Sequence, residues 1–157
     1  MLKHDLVLVP ASPANLEDIY RIVNSNSAYN ILENGNPART YEELEEELNA
    51  AGQGSLLIQL DGRSVGILQY IVHNPKDGYP WLGLLMIHQE MKAKGLGKAA
   101  FAEFAGLLIT QGKHAVRIGV IPENEAAKSF WLSLGFQYYE SKMSTIGKVV
   151  DCYEKSL

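Results

Sequence analysis

The chain has 157 residues, 46% hydrophobic and 20% charged, the composition of an ordinary globular protein with length enough for a proper core, so one domain over residues 1–157 is expected. A formal net charge of −4 excludes the broad basic face that nucleic acid needs, and a single cysteine, Cys152, excludes an internal disulfide or a cysteine-based zinc site. No apolar run is long enough to span a bilayer and the N-terminus lacks a signal-peptide layout, so no membrane association and a cytoplasmic location are expected.

Leu6 to Val9 reads as a first strand. Ser12 and Pro13 open a helix, the hydroxyl as N-cap and the proline where its missing N–H costs nothing. Leu16, Ile19, Tyr20 and Val23 keep the spacing of a buried helical stripe. The stretch from Asn24 to Arg39, rich in Asn, Ser and Gly, reads mostly as loop or broken helix. Thr40 and Glu43 form a capping box for a second helix with Tyr41, Leu44, Leu48 and Ala51 as its buried stripe. Its glutamates, Glu42, Glu43, Glu45, Glu46 and Glu47, read as a solvated face.

After Gly52 the periodicity changes. Ser55 to Leu60 and Ser64 to His73 are strand-like and joined by Asp61-Gly62, a hairpin signal. Asn74 to Pro80 is a turn segment, and Trp81 to Ile87 is the near-continuous apolar run of a central strand covered on both faces. The next helix buries Leu96, Ala100, Phe101, Phe104, Leu107 and Leu108 and stops at Gly112. Ala115 to Ile121 is a strand. Asn124 to Leu134 is a helix with Ala127, Phe130, Trp131 and Leu134 inward, ended by Gly135. Phe136 to Ser144 and Val149 to Glu154 form a closing hairpin around Ile146-Gly147-Lys148. The order β-α-α-β-β-β-α-β-α-β-β implies an α/β fold with a mixed sheet and helices on both faces.

Chemistry concentrates in Met91-Lys92-Ala93-Lys94-Gly95-Leu96-Gly97-Lys98. Two glycines one residue apart let the backbone approach a bulky anion, because no Cβ intervenes. The unbonded N–H groups of the first helical turn and the helix dipole favour negative charge there. Lys92, Lys94 and Lys98 add formal positive charge on an otherwise acidic protein, which suits one small polyanion such as a pyrophosphate. The competing reading is an ordinary turn with solvated lysines. A Walker A loop is excluded, since no Gly-Lys-Ser or Gly-Lys-Thr occurs; a dinucleotide fingerprint would have a third glycine where Ala100 stands and would follow the first strand of its domain.

Two segments together resemble the GCN5-related N-acetyltransferase (GNAT) family. Lys92-Ala93-Lys94-Gly95-Leu96-Gly97 matches its acetyl-CoA loop, Gln/Arg-x-x-Gly-x-Gly/Ala, with lysine at the first position. Asn124 to Phe136 matches its Asn-x-x-Ala-x-x-aromatic stretch ending in Gly-Phe. About thirty residues separate the two, in the right order among the strands. The resemblance covers nearly the whole chain and implies a mostly antiparallel sheet with a V-shaped splay between the fourth and fifth strands. It implies acetyl-CoA as acetyl donor and no metal. The pyrophosphate would lie on the N–H groups of Ala93 to Lys98, and pantetheine would pair with exposed backbone of Leu85, Met86 and Ile87. Asn124 would hydrogen-bond the cofactor arm; its plain structural role is helix N-cap.

The implied reaction is direct attack of a primary amine, on a small molecule or an exposed peptide or protein amino group, with no acyl-enzyme. Many members carry a catalytic Glu five residues before the motif Asn and a catalytic Tyr seven after it. Gly119 and Trp131 stand there instead, so neither role carries over, and a ribosomal-protein substrate is correspondingly disfavoured. His73, His88, Glu33 and one of Tyr138 or Tyr139 are candidate substitutes, each with a structural or solvated role as the alternative. Tyr29, Asn30, Glu33, Arg39 and Tyr79 are candidate acceptor walls. A monomer or homodimer is expected. A non-catalytic acyl-CoA-binding or sensing module on the same fold is the alternative reading.

Overall fold

The computed structural model describes residues 5–145 and 147–157; Ile146, placed by the sequence in the closing turn, lies outside them. Seven strands among the described residues form one sheet in the order β1-β2-β3-β4-β5-β7-β6. They are β1 (Leu6–Pro10), β2 (Gln53–Leu60), β3 (Arg63–Ile71), β4 (Trp81–Ile87), β5 (Ala115–Val120), β6 (Gln137–Met143) and β7 (Val149–Ser156). Every neighbouring pair is antiparallel except β4 with β5. The helices are α1 (Leu16–Asn24), α2 (Ser27–Asn34), α3 (Tyr41–Leu48), α4 (Leu96–Thr110) and α5 (Glu125–Ser133). None is long and apolar enough to cross a membrane.

Strand alternation sorts the apolar side chains onto two faces. Leu57, Ile67 and Met86 pack beneath α1 and α3 with Ile19, Ile22, Val23 and Leu44. Leu56, Leu68 and Leu82 pack beneath α4 and α5 with Phe101, Phe104, Leu108 and Trp131. Each such buried aliphatic or aromatic side chain contributes about 1.5–3 kcal/mol of hydrophobic free energy. Phe101, Trp131 and Phe136 meet edge to face at centroid distances of 5.2 to 5.9 Å, which fixes α5 against α4. Leu107, expected inside, lies on the outer side of α4 at 44% exposure.

The region between β1 and β2 departs most from the sequence reading. Pro13 starts a short 3-10 turn, Pro13–Asn15, and the α-helix begins only at Leu16. The Asn24–Arg39 stretch holds a two-turn helix, α2, ended by Gly35 in the left-handed conformation (φ 81°), so three helices precede β2 rather than two. Two of the asparagines that suggested a loop are ties, Asn30 buried and Asn24 half-buried. Asn30 Nδ2 donates to the carbonyls of Val23 (3.0 Å) and Pro37 (3.1 Å). Asn24 bridges to the backbone of Arg39 in both directions, at 3.0 and 2.7 Å.

The capping box at Thr40 forms as expected. The glutamate face is only partly solvated, because Arg39 reaches Glu43 at 2.8 Å and Glu47 at 2.6 Å. Ala51 lies beyond α3 and is exposed, and Tyr41, also expected inside, is exposed too and stacks on Tyr20 at 4.1 Å. Asp61 (φ 51°) and Gly62 (φ 84°) are both left-handed, the geometry that turns β2 tightly into β3.

Candidate functional site

β4 and β5 are paired only at their start. Trp81 faces Arg117, and the Arg117 N–H donates to Pro80 O at 2.9 Å; no further pairs follow among the described residues. The β3–β4 ladder explains the divergence. Its register passes from Tyr70↔Leu82 to Gln69↔Leu84, leaving Gly83 unpaired in a bulge that bends β4 two residues past its contact with β5. From there to Ile87 the β4 main chain on the β5 side has no strand partner among the described residues.

A dense cluster pins the closed end. Arg117 donates to Glu154 at 2.9 Å and Asp77 at 3.3 Å, and its guanidinium lies 3.7 Å from the Tyr79 ring centroid and 4.5 Å from that of Tyr139. Burial alone would raise the Asp77 pKa, but the Tyr79 N–H, the Trp81 indole and Arg117 together hold it below the ordinary carboxylate range.

The open end leads into a row of unused donors. β4 runs through a 3-10 turn, Gln89–Met91, whose start His88 caps by accepting the Glu90 N–H at 3.1 Å. The main-chain N–H groups of Lys92 to Lys98 then donate to nothing among the described residues. Ala93 (φ 63°) and Gly95 (φ 78°) are both left-handed, which folds this row inward at the mouth of α4. A left-handed alanine costs about 1–2 kcal/mol, strain that the loop carries without any visible packing return. A Cβ on Gly95 would meet nothing within 4 Å, so open space lies over the loop. At Gly97 a Cβ would stand 3.2 Å from Phe130, so glycine there lets α4 and α5 close up.

The gap and the loop line one cavity of about 440 Å³. Leu85, Met86 and Ile87 form one wall, the stretch 92–98 the mouth, and Asn124, Ala127, Phe130 and Trp131 the opposite wall. Every residue expected at a cofactor site lines it except Lys94, which is exposed to solvent. Burial lowers the Lys92 pKa. Asn124 does cap α5, its Oδ1 accepting the Ala127 N–H at 3.1 Å, while its Nδ2 donates to nothing among the described residues. Asn26, which the sequence reading passed over, also lines the cavity. Its Nδ2 donates to Ile87 O at 3.1 Å, and its buried Oδ1 has no partner among the described residues. Only a folded α1–α2 junction brings it there, so no local pattern marks it.

Deeper in, two smaller cavities adjoin. One of about 60 Å³ lies between the strands and is lined by Tyr29, Glu33, Leu82 to Leu85, Ile118 to Val120, Asn124 and Trp131. The other, about 160 Å³, is lined by Tyr29, Asn30, Glu33, Arg39 and Glu47 among others. Of the candidate acceptor walls, Tyr29, Asn30, Glu33 and Arg39 are thus brought together around one cavity. Tyr79 is not; it stacks on Arg117.

Of the candidate acid–base groups, only Glu33 reaches these cavities. His73 lies beside Gly78, His88 caps its turn, Tyr138 is exposed against Ser141 and Tyr139 covers Arg117. A carboxylate at position 119 has no room either, since a Cβ there would lie 2.8 Å from Val150 Cγ1.

A family model for the Acetyltransferase (GNAT) family matches residues 16–136, well over half of the chain. Among solved structures, an acetyltransferase from Thermus thermophilus superposes with a TM-score of 0.84 at 25% identity, covering 97% of each chain. PaiA N-acetyltransferase from Thermoplasma acidophilum, in complex with coenzyme A, gives 0.75 at 16% identity over 98% of this chain and 99% of that one. Aminoglycoside acetyltransferase AAC(6')-Ib, in complex with coenzyme A and kanamycin, gives 0.78 at 15% identity over 97% and 95%. The last two likenesses bear on fold alone. A search of curated proteins returned no match.

Proposed function

The chain belongs to the GNAT family of acetyltransferases, and on that premise we propose that it carries an acetyl group from acetyl-CoA to a primary amine within one N-acetyltransferase domain. The observation that carries the reading is the row of free N–H groups at the α4 mouth, continuous with the unpartnered side of β4 in one cavity. The residues present fit the donor: a cradle of main-chain donors for a pyrophosphate, open space over Gly95, and an apolar slot beyond it.

Acetyl-CoA supplies an acyl carbon already activated as a thioester. Ala93, Lys94, Gly95, Leu96, Gly97 and Lys98 bind the pyrophosphate through their amides, with Lys92, Lys94 and Lys98 balancing its charge. Leu85, Met86 and Ile87 orient the pantetheine arm along their free main-chain groups, as an added strand would be held. An N–H on that same side of β4 polarises the carbonyl oxygen as negative charge builds on it. Asn124 donates its spare Nδ2 from the opposite wall, and Phe130 and Trp131 keep water from the slot. The acceptor is a small-molecule amine, as in the kanamycin complex of the aminoglycoside enzyme, or an exposed peptide amino group.

Isothermal titration with acetyl-CoA tests the first half: saturable binding is expected, and none at millimolar ligand would sink the reading. Thiol release with a panel of amines tests the second. Tight binding without turnover across the panel would turn the conclusion to an acyl-CoA-binding module.

A further inference from the structure

The places where many family members keep a catalytic Glu and Tyr, here Gly119 and Trp131, face the same small cavity as Tyr29 and Glu33. Those two residues stand one turn apart on α2, so their side chains share a helix face and enter the gap between β4 and β5 from the opposite side. The Glu33 carboxylate forms no hydrogen bond or ion pair among the described residues. Lys148, whose charge acts on Glu33, is held by main-chain carbonyls instead, Leu32 O at 3.3 Å and Glu33 O at 3.1 Å. The Tyr29 hydroxyl is likewise without a partner among the described residues.

We propose that α2 supplies the proton-transfer pair of this enzyme: Glu33 takes the proton from the attacking amine and Tyr29 returns one to the departing sulfur. The inference rests on the acetyl-transfer reading above and assigns to that reaction groups that the family motif does not mark. In the step, the amine nitrogen gives its lone pair to the acyl carbon and its proton to Glu33. The carbon–sulfur bond breaks with its electron pair on sulfur, which receives the Tyr29 proton. Solvent then takes the proton from Glu33 and restores the one on Tyr29.

The surroundings favour the base and hold the phenol neutral. Burial raises the Glu33 pKa, opposed by Lys148, toward a range better matched to an amine than a solvated carboxylate has. Burial also raises the Tyr29 pKa, helped by Glu33 and Glu47 and opposed by Arg39, so the phenol is neutral but a weak acid and its help to the sulfur is the smaller of the two contributions. The charged or titratable groups facing Glu33 are Tyr29 on its own helix, Arg39 and Glu47 on the α3 side, and Lys148 from the β6–β7 turn. β4, β5 and α5 contribute none to the small cavity. A carboxylate at the bottom of the slot also selects an acceptor that arrives as an ammonium ion; it gives its first proton to solvent to free the lone pair, and the second goes to Glu33 as the nitrogen attacks.

The test compares wild type with E33Q and Y29F. Each is measured for acetyl-CoA affinity by titration, for melting temperature, and for thiol release across pH with spermidine, lysine, kanamycin and an alanyl peptide as probe amines. E33Q is expected to keep acetyl-CoA affinity and melting temperature while kcat/KM falls by about 10²–10⁴-fold and the acidic limb of its pH profile disappears. Y29F is expected to lower kcat by less, since a thiolate leaves without much help. Carboxyl NMR of glutamate-labelled protein is expected to show one titration above the ordinary range that is missing in E33Q. Unchanged turnover and pH profile in E33Q overturn the inference and leave acetyl transfer standing. Parallel loss of acetyl-CoA affinity or melting temperature makes Glu33 structural. A wild type that binds acetyl-CoA but turns over no probe overturns it as well, and a wild type that binds none overturns the parent reading.

Discussion

At Gly95 two demands on one residue come apart. Its left-handed backbone resists any side chain, but a Cβ there meets no atom of the protein. A Gly95→Val change should therefore cost about 1–2 kcal/mol of stability, the backbone term alone. The new side chain would stand where the pyrophosphate is proposed to lie. Acetyl-CoA affinity, measured by titration beside a urea melt, should fall by more than about tenfold, roughly 1.4 kcal/mol or more, beyond any stability loss. A variant whose affinity and stability fall together would make the loop a turn and nothing else. Gly95 was legible in the sequence because a glycine pair at a helix start has few physical explanations. Asn26 was not, because an asparagine beside a helix end has many.

Among the elements, α2 shows where reading by composition misleads. Asn, Ser and Gly favour turns when their side chains bond locally, yet Asn24 and Asn30 bond across fifteen and seven positions and hold the helix against its neighbours. Replacing Asn30 by Ala would leave the part-buried Pro37 carbonyl without its donor and the Val23 carbonyl with the Asn26 N–H, at 3.2 Å. A loss of about 1–3 kcal/mol is expected, seen as a lower urea midpoint with an unchanged slope. A shift within error would mean that water serves those carbonyls equally well. Once α2 is known to be helical, the four-residue spacing of Tyr29 and Glu33 becomes a shared face, and the candidate acceptor walls become an ordered pair. The strands, the Asp61-Gly62 hairpin and α4 were plain beforehand, since period and turn chemistry fix them locally. The Gly83 bulge was not, because a bulge exists only relative to the partner strand's register.

Across the whole molecule, sheet order and the faces covered by helices follow from patterns any segment displays by itself. The opening between β4 and β5 follows from how two strands fail to meet, which no segment displays. Its closed end is fastened by Arg117, Asp77 and Glu154 with Tyr79 and Tyr139 around them. α4 packs Phe101 and Phe104 with side chains from both sides of the opening.

A seven-stranded sheet usually protects its middle and leaves its margins to solvent. Here the interruption falls at the fourth strand of the order, so solvent reaches amides that any other layout would shield. Deuterium should enter the gap-facing half of Leu84 to Ile87 faster than it enters β2 or β3, and addition of acetyl-CoA should slow that uptake while leaving Trp81 and Arg117 as they were. If the uptake of Leu84 to Ile87 stays the same with and without ligand, the arm lies elsewhere.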